Sequence, residues 1–206
     1  MTSAVLDHDA HPAPEAHHTS LPIDNRKLAM WTFIGSECLL FASLITTFLI
    51  YRDSSVGGPG PKDMFEVPLV TFGTAILLFS SFFVVMALDG AKNGNRKKLI
   101  LWLSLTVMCG LFFVAMQVYE FNHFYHKGLG YSTNLFSSSF YTLTGFHGAH
   151  VAIGTVWLAT LLKDAIKGRI PAEKAINLEL SALYWHFVDV VWIIIFPVVY
   201  LMSLGR

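Results

Sequence analysis

Five long runs of apolar residues, joined by short polar connections, set the pattern of this chain. They cover Leu28–Tyr51, Pro68–Leu88, Leu99–Phe121, Ser137–Leu162 and Leu180–Leu204. At a helical rise of about 1.5 Å per residue, each is long enough to cross a hydrocarbon core of about 30 Å. An open strand would leave its backbone groups unsatisfied in lipid, so helices are the only elements that fit. The pattern predicts an all-α integral membrane protein, a bundle of five transmembrane helices over residues 26–206. Residues 1–25 are polar and rich in His, Ala and Pro, without an apolar core. They predict a disordered cytoplasmic tail rather than a signal peptide or a folded element. Within it, His8, His11, His17 and His18 have no spacing that fixes a ligand geometry. Gly-Gly-Pro-Gly-Pro at 57–61 is a loop signal.

Composition sharpens this picture. The chain is 54% hydrophobic and 14% charged, where soluble domains carry about 25% charged residues, and its mean hydropathy is +0.54. Net charge is zero, so no basic face points to nucleic acid. Cys38 and Cys109 both lie inside apolar runs and read as small hydrophobes rather than a disulfide or a metal site. Of the 14 Lys and Arg residues, all but Arg52, Lys62, Lys127 and Arg206 fall in the N-terminal segment or in the second and fourth connections. By the positive-inside rule that side is cytoplasmic, with the N-terminus inside and the C-terminus external.

Several ionisable residues interrupt the apolar runs. His186 and Asp189 stand three residues apart in the last run, on one helical face, so they can pair or reach together to a neighbour. Trp185 and Trp192 flank them, too deep for an interfacial aromatic belt. Counting the rise along each run puts Glu37 and Asp189 roughly 13 Å from the cytoplasmic ends, His147 at much the same level, and His150 and His186 about 10 Å from that boundary. Glu120 and Glu179 fall near the ends of their runs, where water reaches. Three readings compete for the deep group: a metal or haem site, a proton or ion path, and a polar network tying helices together. Ligand count alone is weak support for the first, and the outer half offers few polar steps for the second. The residues fit the network best, with Glu37 the exception because its own helix offers it no partner. Gly145, Gly148, Ala149, Ala152 and Gly154 allow a close approach to the fourth helix. Signatures of nucleophilic catalysis, phosphate loops and paired CxxC motifs are absent from the sequence.

Tyr-Trp-His-Phe-Val-Asp-Val-Val-Trp at 184–192 resembles the signature of subunit III of the haem-copper respiratory oxidases. Thr-Gly-Phe-His-Gly-Ala-His-Val at 144–151 is similar to that family's preceding helix, and Gly-Asn-Arg-Lys-Lys at 94–98 to its basic connection. Gly-Ser-Glu-Cys-Leu-Leu-Phe at 35–41 resembles the helix with the family's buried glutamate, here Glu37, and Gln117–Phe121 places a family acid on Glu120. The similarity runs from about Asn25 to Leu204 and corresponds to the short bacterial form, which starts at the long form's third helix. The resemblance implies an accessory subunit of a cytochrome c or quinol oxidase in a bacterial plasma membrane, with no redox centre of its own. Haem and copper are then expected in the catalytic subunit I on which it packs and whose proton-uptake surroundings it supports, with structural phospholipid bound beside it. Alternatives are a subunit III-like protein of a nitric oxide reductase, and a stand-alone proton or ion transporter using Glu37, His147 and Asp189.

Overall fold

The computed structural model describes residues 24–54, 67–170 and 175–202. The expected tail therefore lies outside the described residues up to residue 23, as does the loop signal at 57–61. Five helices follow in order: α1 (Asn25–Tyr51), α2 (Val67–Lys92), α3 (Arg96–His126), α4 (Leu135–Ile166) and α5 (Ile176–Phe196), which continues as one π-helical turn over Pro197–Leu201. All five are long and apolar enough to cross a membrane, and the described residues contain no strand.

Polar caps, rather than the ends of the apolar runs, set the starts of α1, α3 and α4. Asp24 caps α1 by accepting from the Arg26 amide at 2.8 Å. Asn95 caps α3. Asn134 and Ser137 form a reciprocal capping box at the start of α4. At 31 and 32 residues, α3 and α4 would each span more than about 45 Å, so their ends stand in the headgroup region.

Helices α2, α3, α4 and α5 pack in that order around a closed four-membered ring, with α2 returning to α5. The first helix lies outside it, seated on α4 and α5. The fifth thus touches three others and is the most buried of the spans, whereas α1 is the most exposed.

The basic connection between α2 and α3 is tied to a neighbour. Arg96 donates from Nε to the Ala165 carbonyl at 3.0 Å and from Nη2 to the Ile166 carbonyl. A guanidinium placed on carbonyls of a helix's last turn also meets the negative end of its dipole. Arg96→Ala is expected to fray the last turn of α4 and cost about 1 kcal/mol. Faster amide exchange confined to residues 162–168 would show it, and unchanged exchange there would reject it.

Candidate functional site

The inward face of α5 organises the interior. Trp185 and Trp192 stand two turns apart, fully buried, and both point at α2. The indole of Trp185 donates to Ser80 Oγ and that of Trp192 to Thr74 Oγ1, each at 2.9 Å. Each hydroxyl passes its own proton to a carbonyl within α2, Ser80 to Leu77 and Thr74 to Val70. A buried indole N–H needs an acceptor, and a helical hydroxyl can accept while donating to its own backbone. Space for Trp185 comes from two glycines. A Cβ on Gly110 of α3 would meet the ring at 2.8 Å, and one on Gly154 of α4 would meet it at 3.0 Å.

The ionisable residues of similar depth are divided among three places. On the α2 side, His186 Nδ1 lies 2.5 Å from Ser81 Oγ. Asp189, one turn further along α5, is buried beside the same serine, with neither oxygen in hydrogen-bond geometry to a described residue. His186 and Asp189 thus turn toward one neighbour rather than toward each other.

On the opposite side, α1 meets α4 through Glu37 and His150, whose Oε2 and Nε2 are 3.2 Å apart. His150 Nδ1 lies 2.7 Å from the Phe146 carbonyl. A carbonyl only accepts, so Nδ1 carries a proton. One further proton then sits between Nε2 and the carboxyl. The pair is neutral overall whether that proton rests on the imidazole or on Glu37. Tyr184 of α5 donates to the His150 carbonyl at 3.2 Å, joining a third helix. Glu37→Gln keeps a donor facing the Nε2 lone pair, so assembly should be retained. Glu37→Leu should weaken retention of the subunit in detergent by about 1–2 kcal/mol. Equal losses in both variants would show that the carboxyl itself is required.

Between these two sites, His147 is fully buried among rings. It stacks on Trp192 with centroids 4.7 Å apart and meets Phe113 edge-on at 5.9 Å. Neither ring nitrogen has a hydrogen bond among the described residues. The division follows from helix geometry. His147 and His150 differ by about 60° around α4, enough to turn one inward and the other to α1, while α5 stands between α1 and α2. Among the described residues, no three His, Cys, Asp or Glu side chains gather as a metal site would require.

Glu120 departs from the expectation of a wetted acid. It is buried, and Tyr200 donates to its Oε2 at 2.9 Å. The reason is that α3 continues to His126 and the π-helical turn after Pro197 carries Tyr200 across it. Glu179 is partly exposed and pairs with Lys27 of α1 at 3.0 Å. Gln117, on the inward face of α3, donates to the Thr144 carbonyl at 2.6 Å. It reaches that carbonyl because Gly148, where a Cβ would collide with its amide, leaves the surface of α4 bare.

Sequence reasoning had no way to rank Thr74, Ser80 and Ser81 above other hydroxyls of a charge-free run. Their signal was relational, an antiparallel match to Trp192, Trp185 and His186. Tyr200 was likewise missed, although Pro197 marks the irregular turn that aims it.

Over residues 9–204 the sequence matches the family described as cytochrome c oxidase subunit III. It is 41% identical over 199 residues to cytochrome c oxidase subunit 3 of Bacillus sp. strain PS3, covering 97% of this chain and 96% of that protein. With cytochrome c oxidase subunit 3 of Bacillus subtilis it shares 44% identity over 181 residues, 87% of each chain. With cytochrome bo(3) ubiquinol oxidase subunit 3 of Pseudomonas aeruginosa it shares 38% over 207 residues, 98% of this chain and 99% of the other. The match takes in all five helices and both polar sites between them, and the chain belongs to the cytochrome c oxidase subunit III family.

Proposed function

We propose that this protein is the accessory third subunit of a haem-copper terminal oxidase in a bacterial plasma membrane, packed on the catalytic subunit that holds haem and copper. The family match across the whole bundle carries this reading. The interior supports it. Buried polar groups bond hydroxyls and carbonyls of other helices, an arrangement that fastens helices rather than holding an electron carrier. The excess of Lys and Arg on one side orients the N-terminus to the cytoplasm and the C-terminus outward. In this reading Glu37, His150, Tyr184, Ser81 and His186 hold α1 and α2 against α4 and α5. The chain then offers its partner a pre-formed surface. Relatives named for cytochrome c and for quinol have nearly equal identity to it.

A pull-down of the tagged chain from native membranes in mild detergent tests this. It should bring larger subunits, with a haem spectrum and copper that disappear when those partners are stripped away. A colourless chain recovered alone would overturn the assignment in favour of a transporter. Haem retained by the isolated chain would assign ligand roles to its histidines.

A further inference from the structure

Arg96 joins two basic segments into one face at an end of the bundle. Its bonds to the Ala165 and Ile166 carbonyls seat the start of α3 on the end of α4, and a Cβ on Gly168 would lie 3.5 Å from its guanidinium. The α2–α3 turn brings Lys92 and Lys97 to this face, and the end of α4 brings Lys163, Lys167 and Arg169. Both acids of these segments are already engaged, Asp89 by Lys98 at 2.6 Å and Asp164 by Arg169 at 3.9 Å. Lys92, Lys97, Lys163 and Lys167 are exposed and meet no carboxylate among the described residues. Glu173 and Lys174 of the next connection carry opposite charges and leave the excess unchanged.

We propose that residues 7–15 of this chain cover the face, with Asp7, Asp9 and Glu15 as its counter-charges, and that protonation of the neighbouring histidines releases them. Residues 1–23 hold these three acids and no Lys or Arg. They join α1 at Asp24, and α1 packs on α4. Beyond the far end of α1 the Ser54 carbonyl accepts from the Phe136 amide at the start of α4, so α1 begins beside the end of α4. Glu15 precedes Asp24 by nine residues and Asp7 by seventeen. At about 3.3 Å per residue they reach up to about 30 Å and about 56 Å. Neighbouring helices lie about 10 Å apart, so every cation of the face is in range. A tethered segment is present at about millimolar effective concentration whatever the lipid composition, which favours it over anionic headgroups. His8, His11, His17 and His18 stand among and beside the acids. Imidazole titrates near pH 6.5, at about the middle of the physiological range. Below that, four imidazolium groups outnumber three carboxylates and confront the lysines and arginines of both segments. The docked histidines bind protons less readily than free ones, so proton uptake drives release. The inference rests on the placement of the helix ends and not on the oxidase assignment, so either can fail without the other.

The test uses the purified complex and a triazine reagent that joins carboxylates to amines without a spacer, with the products read by mass spectrometry. Lys27 and Glu179, held 3.0 Å apart by the fold, supply an internal reference that cancels changes in reagent activity. At pH 8 and low salt, Asp7, Asp9 and Glu15 should couple to Lys92, Lys97, Lys163 and Lys167. Relative to the reference, the yield should fall about ten-fold in about 1 M salt, where the Debye length is about 3 Å, and by a similar factor at pH 6. D7N/D9N keeps Glu15 as reporter and should lower its coupling about five-fold, the ratio two exposed ion pairs provide. H8Q/H11Q/H17Q/H18Q should hold the pH 8 yield at pH 6. All these changes lie in the tail and leave the bundle intact. Coupling confined to Lys27, coupling indifferent to salt, or pH dependence surviving in the histidine variant would each overturn the proposal. So would its loss in phosphatidylcholine bilayers when phosphatidylglycerol is added, which would give the face to the membrane.

Discussion

Replacing Trp185 by Ala should destabilise the bundle by about 3–5 kcal/mol, the usual cost of emptying a buried aromatic site. Helices α2, α3 and α4 all contribute to the space this ring fills, through Ser80, Gly110 and Gly154. None of the three can collapse into the void without carrying its helix with it. Lipid cannot reach it either, because the ring is fully buried. Association in a bilayer depends on packing rather than on removal of apolar surface from water, so nothing replaces the indole's packing against its three neighbours. Trp185→Phe separates volume from hydrogen bonding. It keeps most of the ring and loses the indole donor, while Ser80 still donates to the Leu77 carbonyl. Its cost should be about 1 kcal/mol beyond the smaller volume change. The measurement is the detergent or denaturant midpoint at which the subunit leaves the purified complex, compared for both variants. Equal midpoints for Ala and wild type would show that the slot does not hold the bundle together.

Gly110→Leu should be comparably severe for the opposite reason. Any Cβ at this position would overlap Thr155 Oγ1 and approach Trp185 Cη2 at 2.8 Å. Thr155 is β-branched and donates to the Val151 carbonyl at 2.8 Å, so its hydroxyl cannot simply rotate away. The added side chain must push α3 from α4 and α5, and overpacking of this kind costs about 1–3 kcal/mol or more. The cause can be isolated with Gly110→Ala. Its defect should be partly relieved when Thr155→Ala is combined with it, because the two groups share one space. Strict additivity of the two changes in the same retention assay would remove the steric argument.

The five helices were legible in the sequence because lipid leaves a hydrophobic chain few alternatives. The boundaries were less so. The apolar runs gave Leu99–Phe121 and Ser137–Leu162, whereas Asn95 and the Asn134–Ser137 capping box set longer helices. For the interior, the face shared by His186 and Asp189 left pairing and a common neighbour both open, and Ser81, which lies against His186, could not be named. Ser81 is one of several hydroxyls in α2. Depth along each run brought Glu37, His147, His150, His186 and Asp189 to similar levels. Depth is only one coordinate, and the angular position around each helix divides them. Glu120 illustrates the same limit, since its distance from the end of a run carried no information about Tyr200 covering it.

What the sequence by itself determined is the membrane class, the number of spans, the family, and the residues whose burial requires a partner. These follow from one-dimensional quantities: run length, charge counts and motif order. The tertiary structure alone decided which partner each residue finds. Trp185 is seated by Gly110 and Gly154, Gln117 meets the Thr144 carbonyl over Gly148, and Glu37 meets His150 across the α1–α4 contact. Such pairings depend on the rotation and depth of each helix against its neighbours. Those are set by the packing of the whole ring, where the absence of a side chain counts as much as its presence.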